Sequence, residues 1–253
     1  MDCPGTRAQA KEIADFKLRL ESVVNRVFIV FEGTDGSGKQ TQTELLVKNL
    51  RDRVSLPARR ISFPNYGSVG CKLVESYLHG YFGNDLRVRD PYLVSSFYAI
   101  DRALSASEWA DDAVSTHSII VADRYFGSNA IYQAAHLEHP AERQAMFAWV
   151  YDLEIRKFKL PVPDITFFLD VSAECSRKMM STRSETDINE SNFKLQQQAR
   201  STGLKAADYF GWHIIHCNDK QNSMRTVEGI QEEILNQLSS KLIHLIAMRR
   251  GIV

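Results

Sequence analysis

Five short runs along the chain read as strands: Val27–Phe31, Arg60–Phe63, Ile119–Ala122, Ile165–Val171 and His213–His216. Strands that are nearly continuously apolar are buried on both faces. The segments between them carry apolar residues at helical spacing. Strand alternating with helix predicts an α/β fold: a five-stranded parallel sheet with helices on both faces. No repeat or low-complexity linker divides the chain, so residues 27–253 read as one domain. Residues 1–26 form a polar extension in which Ile13, Phe16, Leu20 and Val24 share one helical side. It reads as an amphipathic helix or as a partly ordered tail. From Ser223 to Met248 the stripe Val227, Ile230, Ile234, Leu238 and Leu242 predicts a long closing helix that faces the core.

Composition narrows the class. A chain of 253 residues is long enough for one sizeable core. Its 31 basic and 31 acidic side chains cancel, which argues against a nucleic-acid or membrane partner. Cys3, Cys71, Cys175 and Cys217 are far apart and have no metal or redox spacing. With no secretory segment, the expected compartment is the cytoplasm. No apolar stretch approaches the ~20 residues of a membrane span.

Chemistry first appears at Gly33-Thr-Asp35-Gly36-Ser37-Gly38-Lys39-Gln40-Thr41, directly after the first strand. Glycines let consecutive backbone N–H groups curl around an anion, and the following helix adds its positive end. Lys39 brings a mobile charge for β and γ phosphates. The pattern G-x-x-x-x-G-K-[ST] is met at every fixed position except the last, where Gln40 stands.

Other constellations lie past later strands. Asp123-Arg124-Tyr125 follows the third, on the rim where open parallel sheets bind ligands. The planar fork of Arg124 suits a phosphate, and an Asp–Arg structural ion pair is the alternative. Ser128 and Tyr132 share one helical face. Phe63-Pro64-Asn65-Tyr66 reads equally as the lining of a base or sugar pocket and as an ordinary turn. Tyr98 and Arg102, four apart, suit stacking on a base and bonding its edge, or a core tyrosine beside a solvated arginine. The segment from Lys178 through Arg183 to Glu190 reads as a closing lid near residues 178–195, or as a solvated helix face.

In order and spacing these motifs resemble the thymidylate kinases, a P-loop family of nucleoside monophosphate kinases. The resemblance runs over roughly residues 27–235. It is carried by Gly33 to Lys39, Phe63-Pro64, Tyr98 with Arg102, Asp123 to Tyr132, Pro163-Asp164 with Leu169-Asp170, and Arg183, Asp187 and Glu190. The resemblance implies a P-loop kinase fold with a short lid and transfer of the ATP γ-phosphoryl to dTMP. It implies Gly33, Asp35, Gly36, Ser37, Gly38, Lys39, Gln40, Thr41, Lys178 and Arg183 around ATP. It implies Asp35, Phe63, Tyr66, Tyr98, Arg102, Arg124, Ser128, Asn129 and Tyr132 around dTMP, with Tyr132 crowding a 2′-OH. A homodimer is implied in the same way.

The family has two arrangements, and the small Gly36-Ser37 pair puts this chain with those that take a basic group from the lid. Arg183 then joins Lys39 and Arg124 as a catalytic candidate, with Lys178 as its possible helper. Gln40 makes direct loop ligation of Mg²⁺ doubtful, which leaves Asp35, Asp123 and Glu190 as metal candidates beside phosphate oxygens and water. The rival readings are a kinase of another nucleotide or nucleoside on this fold, and a non-catalytic nucleotide-binding protein.

Overall fold

The computed structural model describes residues 26–52, 57–83, 90–109, 118–180 and 193–249, with side chains to residue 240. The extension before Arg26 lies outside the described residues, as does the centre of the expected lid with Arg183, Asp187 and Glu190.

Strands β1 (Arg26–Gly33), β2 (Ala58–Ser62), β3 (Ser118–Asp123), β4 (Ile165–Asp170) and β5 (His213–His216) pair in parallel in the order β2-β3-β1-β4-β5. The described helices are α1 (Lys39–Asp52), α2 (Lys72–Leu78), α3 (Pro91–Ser105), α4 (Phe126–Ala135), α5 (Pro140–Tyr151), α6 (Ala173–Met180), α7 (Phe193–Phe210) and α8 (Val227–Arg249). The period-2 pleat of β1 explains why its run is apolar throughout. Phe28 and Val30 pack with Met146 and Phe147 of α5 and with Leu195 and Ala199 of α7. Val27, Ile29 and Phe31 pack on the other face with Leu46 of α1 and Ile230 and Ile234 of α8.

The expected closing helix begins at Val227, with Ile230, Ile234 and Leu238 buried and Val227 exposed at its end. The second strand runs earlier than its sequence reading. It ends at Ser62: the Phe63 N–H gives the last ladder bond, to the Asp123 carbonyl at 3.0 Å, and Pro64 has no N–H to continue. Pro91 opens α3 behind Asp90, whose side chain accepts from the N–H groups of Tyr92 and Leu93 at 2.9 and 3.0 Å. Asp164, just before β4, accepts from Phe28 N–H at 2.8 Å and pins the start of that strand to β1.

Beyond α5 the helix widens into a π-helical turn, Asp152–Lys157, which sends Glu154 and Ile155 inward. The loops at the carboxyl ends of β1, β2 and β3 converge on one cleft, the ligand position of an open parallel sheet.

Candidate active site

The cleft has a volume of about 620 Å³, the size of a small-molecule site. One end of it is the loop from Asp35 to Thr41. A Cβ on Gly33 would lie 2.8 Å from the Leu169 carbonyl oxygen, so the chain leaves the sheet there only because no side chain intervenes. Gly38 takes φ +84°, a left-handed conformation that starts the turn into α1.

Lys39 is buried, and its Nζ donates to the Thr34 carbonyl at 2.6 Å and to Ser37 Oγ at 3.2 Å. Burial, with Arg124 nearby, pushes its ammonium down to about 8. The Gln40 amide nitrogen donates to Glu44 one turn on at 2.9 Å, along the exposed face of α1, and the residue also borders the cleft. Thr41 is exposed at the cleft wall.

Arg124 faces the loop from the end of β3. Its backbone has φ +67°, a strained conformation for a residue with a side chain. Three bonds hold this turn. Arg124 N–H donates to the Phe31 carbonyl at 2.9 Å. Tyr125 N–H donates to Glu32 Oε1 at 3.0 Å, and the Ser128 hydroxyl to Glu32 Oε2 at 2.5 Å. Burial raises the Glu32 carboxyl above its usual range. The guanidinium donates from Nη1 to the Gly33 carbonyl at 3.3 Å and to Ser128 Oγ at 3.2 Å, and from Nη2 to Asp35.

Asp35 is the hub of the site. Its carboxylate accepts from Arg124, from the Tyr132 hydroxyl at 2.5 Å and from Gln196 at 3.0 Å. Its N–H donates to Tyr132 Oη at 3.0 Å, and its carbonyl accepts from the Ser176 hydroxyl of α6. Burial pushes the Asp35 carboxyl up, but Arg124 and Lys39 outweigh it and hold it below the usual carboxylate range. The Tyr132 hydroxyl is thus occupied by Asp35, and any steric role falls to its ring.

At the other end, Phe63, Tyr66, Leu78, Tyr98, Asn129 and Gln133 line the wall. Phe63 is buried against Trp109 and Tyr125, whereas Tyr66 is 62% exposed. Tyr98 is half-buried on the face of α3 that it shares with Arg102. Arg102 is buried, so the solvated-arginine alternative does not hold; Glu154 grips it from behind.

Of the metal candidates, Asp35 pairs with Arg124, and Asp123 accepts from Arg60 at 2.6 Å. Among the described residues no three His, Cys, Asp or Glu side chains cluster as a metal site. The described carboxylates therefore fit a cation held mainly by phosphate oxygens and water, not a protein cage. Lys178 lies in a separate shallow hollow with Glu174, Arg177 and Phe193, and its neighbour Met179 lines the cleft instead.

Sequence reasoning missed Glu32, Arg60, Gln133, Glu154 and Gln196. A lone glutamate closing an apolar strand was a signal for Glu32. Glutamate in a helical stretch reads as solvated, so nothing marked Glu154.

A family model described as thymidylate kinase matches residues 31–230. The thymidylate kinase of Mycobacterium tuberculosis is 33% identical over 184 residues, covering 72% of this chain and 84% of that protein. A probable thymidylate kinase of Thermococcus kodakarensis is 28% identical over 224 residues, covering 85% and 98%. Among solved structures, the thymidylate kinase of Candida albicans shares the fold with a TM-score of 0.63 at 18% identity, covering 86% of this chain and 93% of that one.

Proposed function

This chain belongs to the thymidylate kinase family, and we infer that its cleft transfers the γ-phosphoryl of ATP to dTMP, giving ADP and dTDP for dTTP synthesis. One observation carries the assignment of roles. Arg124 at the end of β3 bonds the Asp35 carboxylate, and Lys39 of the loop lines the same cleft and also favours the ionised form of that carboxylate. Donor and acceptor phosphates held by these two cations would meet above it. Phosphoryl transfer needs positioning and charge neutralisation more than covalent chemistry. An acceptor phosphate oxygen is already ionised at neutral pH, so no strong base is required.

In this reading the loop from Gly33 to Thr41 and Lys39 hold ATP. Arg124 holds the dTMP phosphate, with Ser128 and Glu32 keeping its guanidinium in place. Tyr98 stacks on the base, while Arg102 and Asn129 meet its edge. Phe63 and Tyr66 line the sugar side, and the Tyr132 ring crowds the 2′ position. Arg183 supplies the lid charge. Mg²⁺, when bound, screens the β and γ phosphates. Asp35 and Asp123 would approach it through water, and Glu190 from the lid. The protein works in the cytoplasm as a homodimer, a reading supported by the family resemblance. No helix among the described residues is long and apolar enough to cross a membrane.

The test is a panel of thymidine, dTMP, dUMP and other nucleoside monophosphates with ATP and Mg²⁺, read by ADP release. We expect dTMP to lead and thymidine to be inert. If the base end encloses the 5-methyl group, dUMP should trail dTMP by ~10–200-fold. Turnover of thymidine in place of dTMP would remove Arg124 from its role. Absence of turnover with every acceptor would favour a binding protein.

A further inference from the structure

Beneath the base end of the cleft lies a carboxylate with no part in the reaction as described. Glu154 is 0% exposed and sits on the π-helical turn after α5. It grips two residues that line the cleft. Its Oε2 accepts from Arg102 Nε at 2.5 Å and its Oε1 from Arg102 Nη2 at 2.7 Å. Oε1 also accepts from Asn129 Nδ2 at 2.9 Å, and the same nitrogen donates to the Ser95 carbonyl at 3.0 Å.

This geometry fixes the Asn129 amide. Turned over, its oxygen would face a carboxylate and a carbonyl, oxygen against oxygen. In the orientation that remains, Asn129 Oδ1 is buried with no hydrogen-bond partner among the described residues, as is Gln133 Oε1 one helical turn on. Both residues line the cleft. Buried acceptors without partners are uncommon and costly, so a ligand donor is the natural complement.

We propose that Glu154 is a positioning residue that sets the hydrogen-bond polarity of the base pocket, holding Arg102 as donor and Asn129 as acceptor. The inference rests on the reading that the base lies against Tyr98, Arg102 and Asn129. A pyrimidine with a 4-oxo group and an N3–H offers acceptor to Arg102 and donor to Asn129. One with a 4-amino group and a bare N3 offers the reverse, and both contacts become repulsive. Arg102 cannot reverse, having no acceptor. Asn129 can, and Glu154, beside the Ser95 carbonyl, opposes it. Sites built to bond a polar group reject an analogue lacking it by up to ~10⁴–10⁵.

Glu154→Gln keeps the shape but turns one acceptor into a donor. With its NH2 on the Asn129 side, at the cost of the Arg102 Nη2 bond to that atom, it can donate to Asn129 Oδ1, leaving only the Ser95 carbonyl to oppose the flip that turns Asn129 Nδ2 toward the base. The experiment compares kcat and KM for dTMP, dUMP and dCMP in wild type and Glu154→Gln, with thermal melts as the control for folding. We expect the dTMP:dCMP ratio of kcat/KM to fall at least ~10-fold, through dTMP KM more than kcat. The dTMP:dUMP ratio, which reads only the methyl group, should move little. A merely structural role would weaken every substrate alike and leave both ratios unchanged. An unchanged dTMP:dCMP ratio in a folded variant overturns the proposal and leaves the base-pocket reading standing. If wild type itself accepts dCMP as well as dTMP, that reading fails and the proposal fails with it.

Should Glu154→Gln not fold, NMR of the wild-type complex with dTMP decides. The Asn129 Nδ2 protons should exchange slowly and lie close to Ser95. Proximity of those protons to the thymine N3 proton would overturn the proposal.

Discussion

The lysine of the phosphate loop should make ATP binding sensitive to alkaline pH. Among the described cleft cations, Arg60, Arg102 and Arg124 each bond a carboxylate, whereas Lys39 bonds only the Thr34 carbonyl and the Ser37 hydroxyl. Burial is therefore incompletely compensated, and its ammonium falls from 10.5 to about 8. Phosphates of ATP would supply the missing anion and restore the charge. Between pH 7 and pH 9 the free protein would lose most of its Lys39 proton, while the complex keeps it. The Kd for MgATP should rise about tenfold over that interval, ~1.4 kcal/mol, with nearly one proton taken up per nucleotide at pH 9. Titration calorimetry in two buffers of different ionisation enthalpy measures both quantities, and Lys39→Met should abolish both.

The same shift has a stability counterpart. The folded pKa lies below the unfolded one, so the unfolded chain binds more protons between about 8 and 10.5. Lys39 therefore destabilises the fold at neutral pH, and this is relieved as pH rises through that window, by up to ~3 kcal/mol. The stability advantage of Lys39→Met over wild type should shrink accordingly from pH 7 to pH 10. An ATP affinity that is flat from pH 7 to 9.5, with no proton uptake, would refute the reasoning.

Three further outcomes follow from the site. Gln40→Ala should leave the Mg²⁺ dependence of the rate unchanged, because its amide nitrogen bonds Glu44 and holds the side chain along the exposed face of α1; a steep rise in the Mg²⁺ requirement would make the amide oxygen a ligand. Gly127→Ala would place a Cβ 2.4 Å from the Trp212 ring and 2.7 Å from Glu32 Oε1. It should cost ~1–3 kcal/mol in denaturant melts and raise the dTMP KM by disturbing the Arg124 turn; unchanged values would mean that the tryptophan yields freely. Arg183→Ala should lower kcat by ~10³ and leave dTMP affinity unaltered, since Gly36-Ser37 puts no arginine in the loop. A change confined to the ATP KM would reduce Arg183 to a binding contact.

What the sequence made legible follows from how each feature is encoded. Strand positions, the parallel order class and the phosphate loop are local signals: apolar runs, helical spacing, glycines ahead of a lysine. The cleft gathers most of the residues read from those motifs, from Asp35 and Lys39 through Arg124 to Tyr132. Strand ends were less legible: β2 starts at Ala58 and ends at Ser62, set by its register against β3 rather than by its own apolar run. Roles shifted where a side chain's partner comes from a distant element. Asp123 reads as a metal candidate from its place after β3, whereas its ion pair with Arg60 of β2 had no local signal.

The least legible residues, Glu32 and Glu154, hold the legible ones in place. Arg124 could be read as a phosphate ligand from its type and its place after β3. Its strained backbone needs the Glu32 carboxylate, which accepts from the next residue's N–H and from Ser128. Arg102 could be read as a partner for a base edge, but a buried guanidinium needs an internal anion, and Glu154 comes from 52 residues along the chain. Removing either carboxylate alone would leave a buried cation or strained turn unsupported, so each pair behaves as a unit in mutagenesis. A cleft lined by guanidinium groups thus has carboxyl groups of its own behind it. They must sit in the core, where one-dimensional patterns of hydrophobicity register them as exceptions rather than as signals.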